Sequence, residues 1–182
     1  MAADLESIEA AINRVSNLPR PATSQVIVNE IELLMGDRSI DAIYRDLVIP
    51  DRTRSYEIGF VAFNPYIDVI YTLLGFELKI SRRRLLCPDL ATARYLSVFA
   101  RLRCEKVAVP YDITRISRIA DELESSWRRM SLLVDRLTAG RSARLKSNVL
   151  KALTEKAKLR IEESGSGAKF PHFRAPRSRR SK

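Results

Sequence analysis

The order of two hydrophobic periodicities along the chain constrains its fold more than any other feature. Apolar residues recur at three- and four-residue spacing before Gly36 and again after Pro88, as in amphipathic helices. Between these segments, residues 56–80 are rich in Tyr, Phe, Ile and Val, which favour strands. The pattern predicts a sheet with helices packed on it.

Three strands are predicted in this block, with the sequences YEIGFVAF, YIDVIYTL and FELKIS. Leu74-Gly75 predicts a tight turn that joins the second and third strands as a hairpin. A helix from about Pro88 to Arg103 and a short fourth strand, KVAVPY, follow. This order predicts an α/β fold with a mixed four-stranded sheet and flanking helices (helix-strand-strand-strand-helix-strand), plus a C-terminal helical hairpin.

Changes in composition divide the chain into four parts. Residues 1–22 are predicted to form an N-terminal helix and a Pro-containing connector, and residues 23–111 the α/β core. Residues 112–163 are predicted to form the helical hairpin, and residues 164–182 a basic disordered tail.

The first helix of the predicted hairpin carries a long apolar seam. Its members recur at spacings of three and four residues: Ile116, Ile119, Leu123, Trp127, Met130, Val134 and Leu137. The second helix can cover only part of this seam, because Lys156 interrupts its own apolar stripe. We therefore expect the uncovered part to make a homodimer. The alternative is that the seam packs onto the chain's own sheet.

The charge balance indicates the class of partner. The 182 residues include 32 Lys and Arg against 22 Asp and Glu, a formal net charge of +10. The segment from Ser164 onward holds six basic residues and no acidic ones. A chain of this charge attracts polyanions, and nucleic acid is the commonest of these.

The composition also excludes several kinds of site. The chain has one histidine, His172 in the tail, and two cysteines, Cys87 and Cys104. These are too few for a His-dependent nucleophile or a clustered zinc site. The cysteines are expected to be reduced thiols. No apolar run approaches the roughly 20 residues of a membrane span, and the acidic, amphipathic start is unlike a secretory signal. We therefore expect a cytoplasmic protein with no membrane association.

Asp68, Glu77 and Lys79 are the candidate site residues of the strand block. On a strand, Glu77 and Lys79 point to the same face. Symmetric pairing about the predicted turn leaves Asp68 beyond the third strand, whereas a bulge or a longer second strand brings it near Glu77, so both arrangements stay open. Glu30, within the apolar stripe of the preceding helix, is the candidate third carboxylate. Carboxylates beside a lysine suit a divalent cation and water activation; the alternative is a solvated strand face.

This arrangement resembles the PD-(D/E)xK nuclease superfamily, which includes restriction endonucleases and archaeal Holliday junction resolvases. The resemblance rests on Glu30 on a helix, Asp68 on a strand and Glu77-x-Lys79 on the next strand, followed by a helix and a fourth strand. It covers about residues 24–111. It implies a Mg²⁺ or Mn²⁺ site formed by Asp68, Glu77 and the carbonyl that follows Glu77, completed by Glu30, with Lys79 acting on the attacking water. The implied function is a metal-dependent endonuclease that hydrolyses phosphodiester bonds in DNA.

Arginine clusters supply the predicted contacts to nucleic acid. Those next to the Glu-x-Lys strand are Arg82, Arg83 and Arg84, and those in the tail are Arg177, Arg179 and Arg180. The alternatives are an exposed loop and a solubility tail. The alternative function is a non-catalytic nucleic-acid-binding or assembly protein on a nuclease-like scaffold, which separated or neutralised Asp68 and Glu77 carboxylates would favour.

Overall fold

The computed structural model describes residues 8–14, 23–59 and 65–167. Its helices are α1 (residues 8–14), α2 (Thr23–Met35), α3 (Ile40–Ile43), α4 (Leu90–Arg101), α5 (Ile113–Leu137) and α6 (Ala143–Ser164). A 3₁₀ turn (Gly36–Arg38) and a π-helical turn (Tyr44–Val48) flank α3. Its strands are β1 (Thr53–Glu57), β2 (Ile67–Thr72), β3 (Gly75–Ile80), β4 (Arg83–Cys87) and β5 (Lys106–Pro110).

The strands form two antiparallel sheets. β1 pairs with β5, with Thr53 opposite Pro110, and β2, β3 and β4 form a meander in which Thr72 lies opposite Gly75. The α/β class and the β2–β3 hairpin are confirmed. The single mixed four-stranded sheet is wrong for the described residues, because β5 pairs antiparallel with β1 and not beside the hairpin.

β4 forms in the arginine-rich segment after the third predicted strand, where the sequence predicts no strand. Ser81, with a φ of 53°, reverses the chain directly after β3. Leu85 and Cys87 then alternate inward, and Cys87 is buried. The arginines that open this segment mask its strand pattern in the sequence. β1 begins at Thr53, three residues before the predicted first strand (residues 56–63), and overlaps it only at Tyr56 and Glu57. Residues 60–63 of the prediction lie outside the described residues.

α4 and α5 form the centre of the hydrophobic core. Asp89 caps α4 by accepting a hydrogen bond from the Thr92 main-chain N–H at 2.7 Å, and Asp112 caps α5 through Thr114 at 3.0 Å. The α5 seam is buried against α4 and α2, and only Trp127 among its seven members is partly exposed. The expectation that part of this seam stays uncovered is therefore wrong, because α4 and α2 cover what α6 does not.

α6 packs its apolar side against α2 and α3. Its buried residues include Val149, Leu153, Ala157 and Ile161. The lysine that interrupts this stripe, Lys156, donates to Glu32 on α2 at 2.7 Å, so its charge is paired across the helix contact.

Two buried tyrosines bind both main-chain polar groups of Ala108 in β5. The Tyr44 hydroxyl accepts the Ala108 N–H at 2.8 Å and donates to the Gly165 carbonyl at 2.6 Å. The Tyr95 hydroxyl donates to the Ala108 carbonyl at 2.6 Å. Gly165 is thus tied to the core, although the sequence places the start of the tail at Ser164; residues 168–182 lie outside the described residues.

Within the described ranges, no helix combines the length and the apolar character needed to cross a membrane.

Candidate functional site

The candidate residues of the strand block lie on the outward face of the three-stranded sheet. Its inward face carries Leu78, Ile80 and Cys87, which are buried on the side that packs against α4. Because side chains alternate along a strand, Glu77 and Lys79 point to the opposite face. The sheet thus rests on the helical core and presents these two residues away from it.

Asp68, Lys79 and Arg84 form one row across the outward face. β2 and β3 pair over their full lengths, so Asp68 lies directly opposite Lys79, which in turn lies opposite Arg84. The pairing is symmetric about the turn at Leu73 and Leu74, yet Asp68 lies within the paired region and is a diagonal neighbour of Glu77. The expectation that symmetric pairing leaves Asp68 beyond the third strand is therefore wrong, and neither a bulge nor a longer second strand is needed. The Tyr66 hydroxyl donates to Asp68 at 3.3 Å, and the Lys79 Nζ lies 5.4 Å from the centre of the Tyr66 ring.

The Glu77 carboxylate is buried and paired. Only 5% of the residue is exposed. The Thr72 hydroxyl donates to Glu77 Oε1 at 3.0 Å, and the Arg84 Nη1 donates to Oε2 at 3.5 Å. Both carboxylate oxygens therefore have a donor, and the Arg84 charge offsets the charge that β3 buries.

Glu30 lies apart from the sheet residues. It belongs to α2, which packs against α5 and α6. Arg14 in α1 donates two hydrogen bonds to its carboxylate, at 2.9 and 2.8 Å. These bonds lower the pKa of Glu30 below its ordinary value, while partial burial acts in the opposite direction. An arginine from the preceding helix thus compensates this carboxylate, and the predicted third member does not join Asp68 and Glu77.

The predicted arginine cluster divides into three different environments. Arg82 is exposed in the turn between β3 and β4. The Arg83 guanidinium lies against the main chain of Gly59, where an added Cβ would come within 2.8 Å of its Nη1. Arg84 pairs with Glu77. The predicted tail residues Arg177, Arg179 and Arg180 lie outside the described residues.

The outward face does not fit the implied Mg²⁺ site in this arrangement. Magnesium binds carboxylate oxygens directly, whereas the oxygens of Glu77 are engaged by Thr72 and Arg84. In the part of the chain that the structure describes, no group of three or more His, Cys, Asp or Glu side chains is placed to hold a metal ion. A cation bound by Asp68 and Glu77 would require the Arg84 side chain to move away.

Both cysteines are free and buried. Burial raises the pKa of the Cys87 thiol to about 11 and that of Cys104 to about 12. Because the thiolate is the nucleophile, neither thiol is activated at neutral pH. The interpretation of Cys87 and Cys104 as reduced structural thiols agrees with this geometry.

Two features of the surface escape the sequence pattern. Tyr66 precedes β2 and lies on its outward side, a position that only the strand register reveals. Cavities of about 740 Å³ and about 150 Å³ adjoin α5. The larger lies between α1, the Gly36–Arg38 turn and α5, and the smaller between the end of α4, α5 and α6. None of the candidate residues from the sequence lines either cavity.

Comparison of the chain with protein-family models, with curated proteins and with solved structures gave no match in any of the three.

Proposed function

We propose that the protein binds single-stranded DNA along the outward face of the β2–β3–β4 sheet, without cleaving it. One observation carries this proposal: the Tyr66 ring, in a residue 61% exposed, lies beside the Lys79 ammonium group at the end of that face. An exposed ring offers a stacking surface for a base, and a neighbouring cation contacts a phosphate. This combination is typical of proteins that bind single strands with little sequence preference.

The charges on the face determine how strongly it attracts a phosphate backbone. Asp68 lies opposite Lys79, and Glu77 pairs with Arg84, so these four charges offset one another locally. Arg82 adds an exposed positive charge at the edge. The formal net charge of +10 supplies a longer-range attraction. Asp68 therefore weakens the attraction of the face for DNA, whereas Lys79 strengthens it.

Anisotropy of a labelled oligo-dT of about 16 nucleotides, measured in EDTA, tests this proposal. Tyr66→Ala is expected to weaken binding about 5- to 150-fold, since stacking of one base contributes about 1–3 kcal/mol. Lys79→Gln should weaken binding and lower the slope of log affinity against log salt by about 0.7, the value for one contact to a single strand. Asp68→Asn should strengthen binding, because it removes a negative charge from the same row.

Tyr111→Ala is the matched control. Tyr111 is also an exposed ring beside a cation, with the Arg52 guanidinium 5.3 Å from its centre, but it lies outside the three-stranded sheet. Its loss should leave affinity unchanged. Equal losses for Tyr66→Ala and Tyr111→Ala, or weaker binding by Asp68→Asn, would contradict the proposed surface.

A Mg²⁺-dependent DNA endonuclease is the second candidate, favoured by the shared face of Asp68, Glu77 and Lys79. The paired state of the Glu77 carboxylate supports binding over cleavage. Incubation of labelled single- and double-stranded DNA with Mg²⁺ or Mn²⁺ distinguishes the two, and we expect intact DNA. Cleavage that EDTA and Glu77→Gln both abolish, while the exposed Glu57→Gln variant retains it, would replace the first candidate by the second.

The homodimer stays a prediction, now with a different surface to support it. Tyr71, Leu73 and Leu74 expose an apolar cluster at the β2–β3 turn. Exposed apolar clusters commonly mark contacts between proteins, and two-fold pairs are the commonest assembly. A light-scattering mass near 20.7 kDa would contradict the dimer.

A further inference from the structure

The smaller cavity lies between the C-terminal end of α4 and the helices α5 and α6. Among the described residues, its polar lining includes Arg101, Arg103, Ser147 and Lys151, and Trp127 forms an aromatic wall. Its volume of about 150 Å³ corresponds to the space of about five water molecules. Pockets for drug-sized ligands start at about 300 Å³, so this cavity suits a small group.

Three cationic side chains converge on this cavity from two parts of the chain. Arg103, in the turn after α4, forms an ion pair with Glu155 on α6, which holds its guanidinium in place. Lys151 and Ser147 lie one helical turn apart on α6. Arg101 is the last residue of α4, and its guanidinium lies over the Trp127 ring, 5.7 Å from the ring centre.

The Arg101 guanidinium lacks an acceptor in the described part of the chain. It lies over the Trp127 ring, and its N–H donors have no carboxylate or carbonyl partner among the described residues. Partial burial lowers the pKa of Arg101, with Glu124 acting in the opposite direction, yet a guanidinium stays charged at neutral pH. A partly buried charge with unused donors is costly, and an anion in the cavity would remove that cost.

We propose that this cavity binds a phosphate group, as inorganic phosphate or as the terminal phosphate of a nucleotide or oligonucleotide. A guanidinium fork matches two oxygens of a tetrahedral oxyanion, and charge-assisted bonds of this kind are the strong ones. The Ser147 hydroxyl, on α6, supplies a further donor. This inference goes beyond the proposed DNA-binding face, since Arg101 and Trp127 take no part in that face.

The position of Trp127 makes the test direct, because it is the only tryptophan in the chain. Sodium phosphate is titrated while Trp127 emission is recorded, against sodium chloride and sodium acetate at equal ionic strength. We expect a saturable change with phosphate alone. Isothermal calorimetry of the same titration gives an affinity that does not depend on the fluorophore. No saturable signal with phosphate, or equal binding of acetate, would overturn the proposal.

Two kinds of variant locate the site. Arg101→Gln is expected to weaken phosphate binding about tenfold or more, as loss of a charge-assisted contact does. Ser147→Asp places a carboxylate on an exposed position of the wall and should abolish binding without disturbing the Arg101–Trp127 contact. Asn148→Asp is the matched control, since it adds the same charge one residue further along α6, outside the cavity lining. Equal losses in both aspartate variants would overturn the assignment, even if Arg101→Gln proved unstable.

The source of the phosphate is distinguished with paired probes. Adenosine monophosphate is compared with adenosine, and 5′-phosphorylated oligo-dT with the unphosphorylated strand. Tighter binding of either phosphorylated probe, lost in Ser147→Asp, identifies a terminal phosphate as ligand, and binding of inorganic phosphate alone identifies the free ion. Failure of the phosphate titration leaves oligo-dT binding and its dependence on Tyr66 untouched, so the two proposals can fail separately.

Discussion

The buried Tyr95 hydroxyl links α4 to β5 within the core. The Tyr95 ring packs against Phe99, with centroids 4.9 Å apart, and its hydroxyl donates to the carbonyl of Ala108 in β5. Burial raises the pKa of Tyr95 well above its ordinary value, so the hydroxyl stays a donor throughout the physiological range. The bond therefore attaches β5 to α4 at any ordinary pH.

Tyr95→Phe is expected to lower the free energy of unfolding by about 1–3 kcal/mol, because it leaves the buried Ala108 carbonyl without a donor. Urea unfolding followed by circular dichroism measures this difference. Tyr71→Phe, at an exposed position of the β2–β3 hairpin, is the control and should stay within about 0.5 kcal/mol of the wild type. Similar stabilities for both variants would contradict the role given to this bond.

At the scale of elements, α5 is the central helix of the core, and its apolar seam is buried within the chain. Its seam packs against α4 and α2, and Leu123 at its middle is fully buried. On the other side of the same helix, Leu132 is 58% exposed. Leu123 and Leu132 therefore lie on the buried and the exposed face of α5.

Leu123→Ala is expected to destabilise the protein by about 2–5 kcal/mol, the range for a buried leucine that leaves a cavity. Leu132→Ala removes the same atoms from an exposed position and should cost far less. Chemical unfolding of both variants at two protein concentrations makes the comparison. A cost for Leu123→Ala that varies with concentration would place the seam at a subunit contact instead.

At the scale of the whole molecule, the C-terminal segment has a part that contacts the core and a part that carries positive charges. Gly165 accepts the hydrogen bond of the buried Tyr44 hydroxyl, and Gly167 lies close to Thr53 and the main chain of Arg54 in β1. All six basic residues of the segment after Ser164 follow these glycines in the sequence. The two parts can be separated by the choice of truncation point.

Truncation after Gly167 is expected to leave the melting temperature unchanged, whereas truncation after Glu163 should lower it, because the Tyr44 hydroxyl then loses its acceptor. Both truncations remove the same six positive charges. Both should therefore weaken binding to oligo-dT and flatten its salt dependence to the same extent. Equal melting temperatures for the two forms would show that Gly165 does not contribute to stability.

The sequence alone was sufficient for the features that depend on neighbouring residues. The helix that follows Pro88, the long helix that begins near residue 112 and the β2–β3 hairpin all follow from local periodicity and turn residues. The shared face of Glu77 and Lys79 follows from the alternation of one strand. These patterns require no knowledge of what lies across the core.

Only the tertiary structure decided which distant groups meet. The pairing of β5 with β1 joins segments that are far apart in the sequence. The pairing of Glu30 with Arg14 likewise joins residues sixteen positions apart. A carboxylate in an apolar stripe indicates that some cation must compensate it, but an arginine and a metal ion satisfy that need equally. The sequence therefore predicted charged groups that need partners, and the packing of α1, α2 and the sheets determined which partners they have.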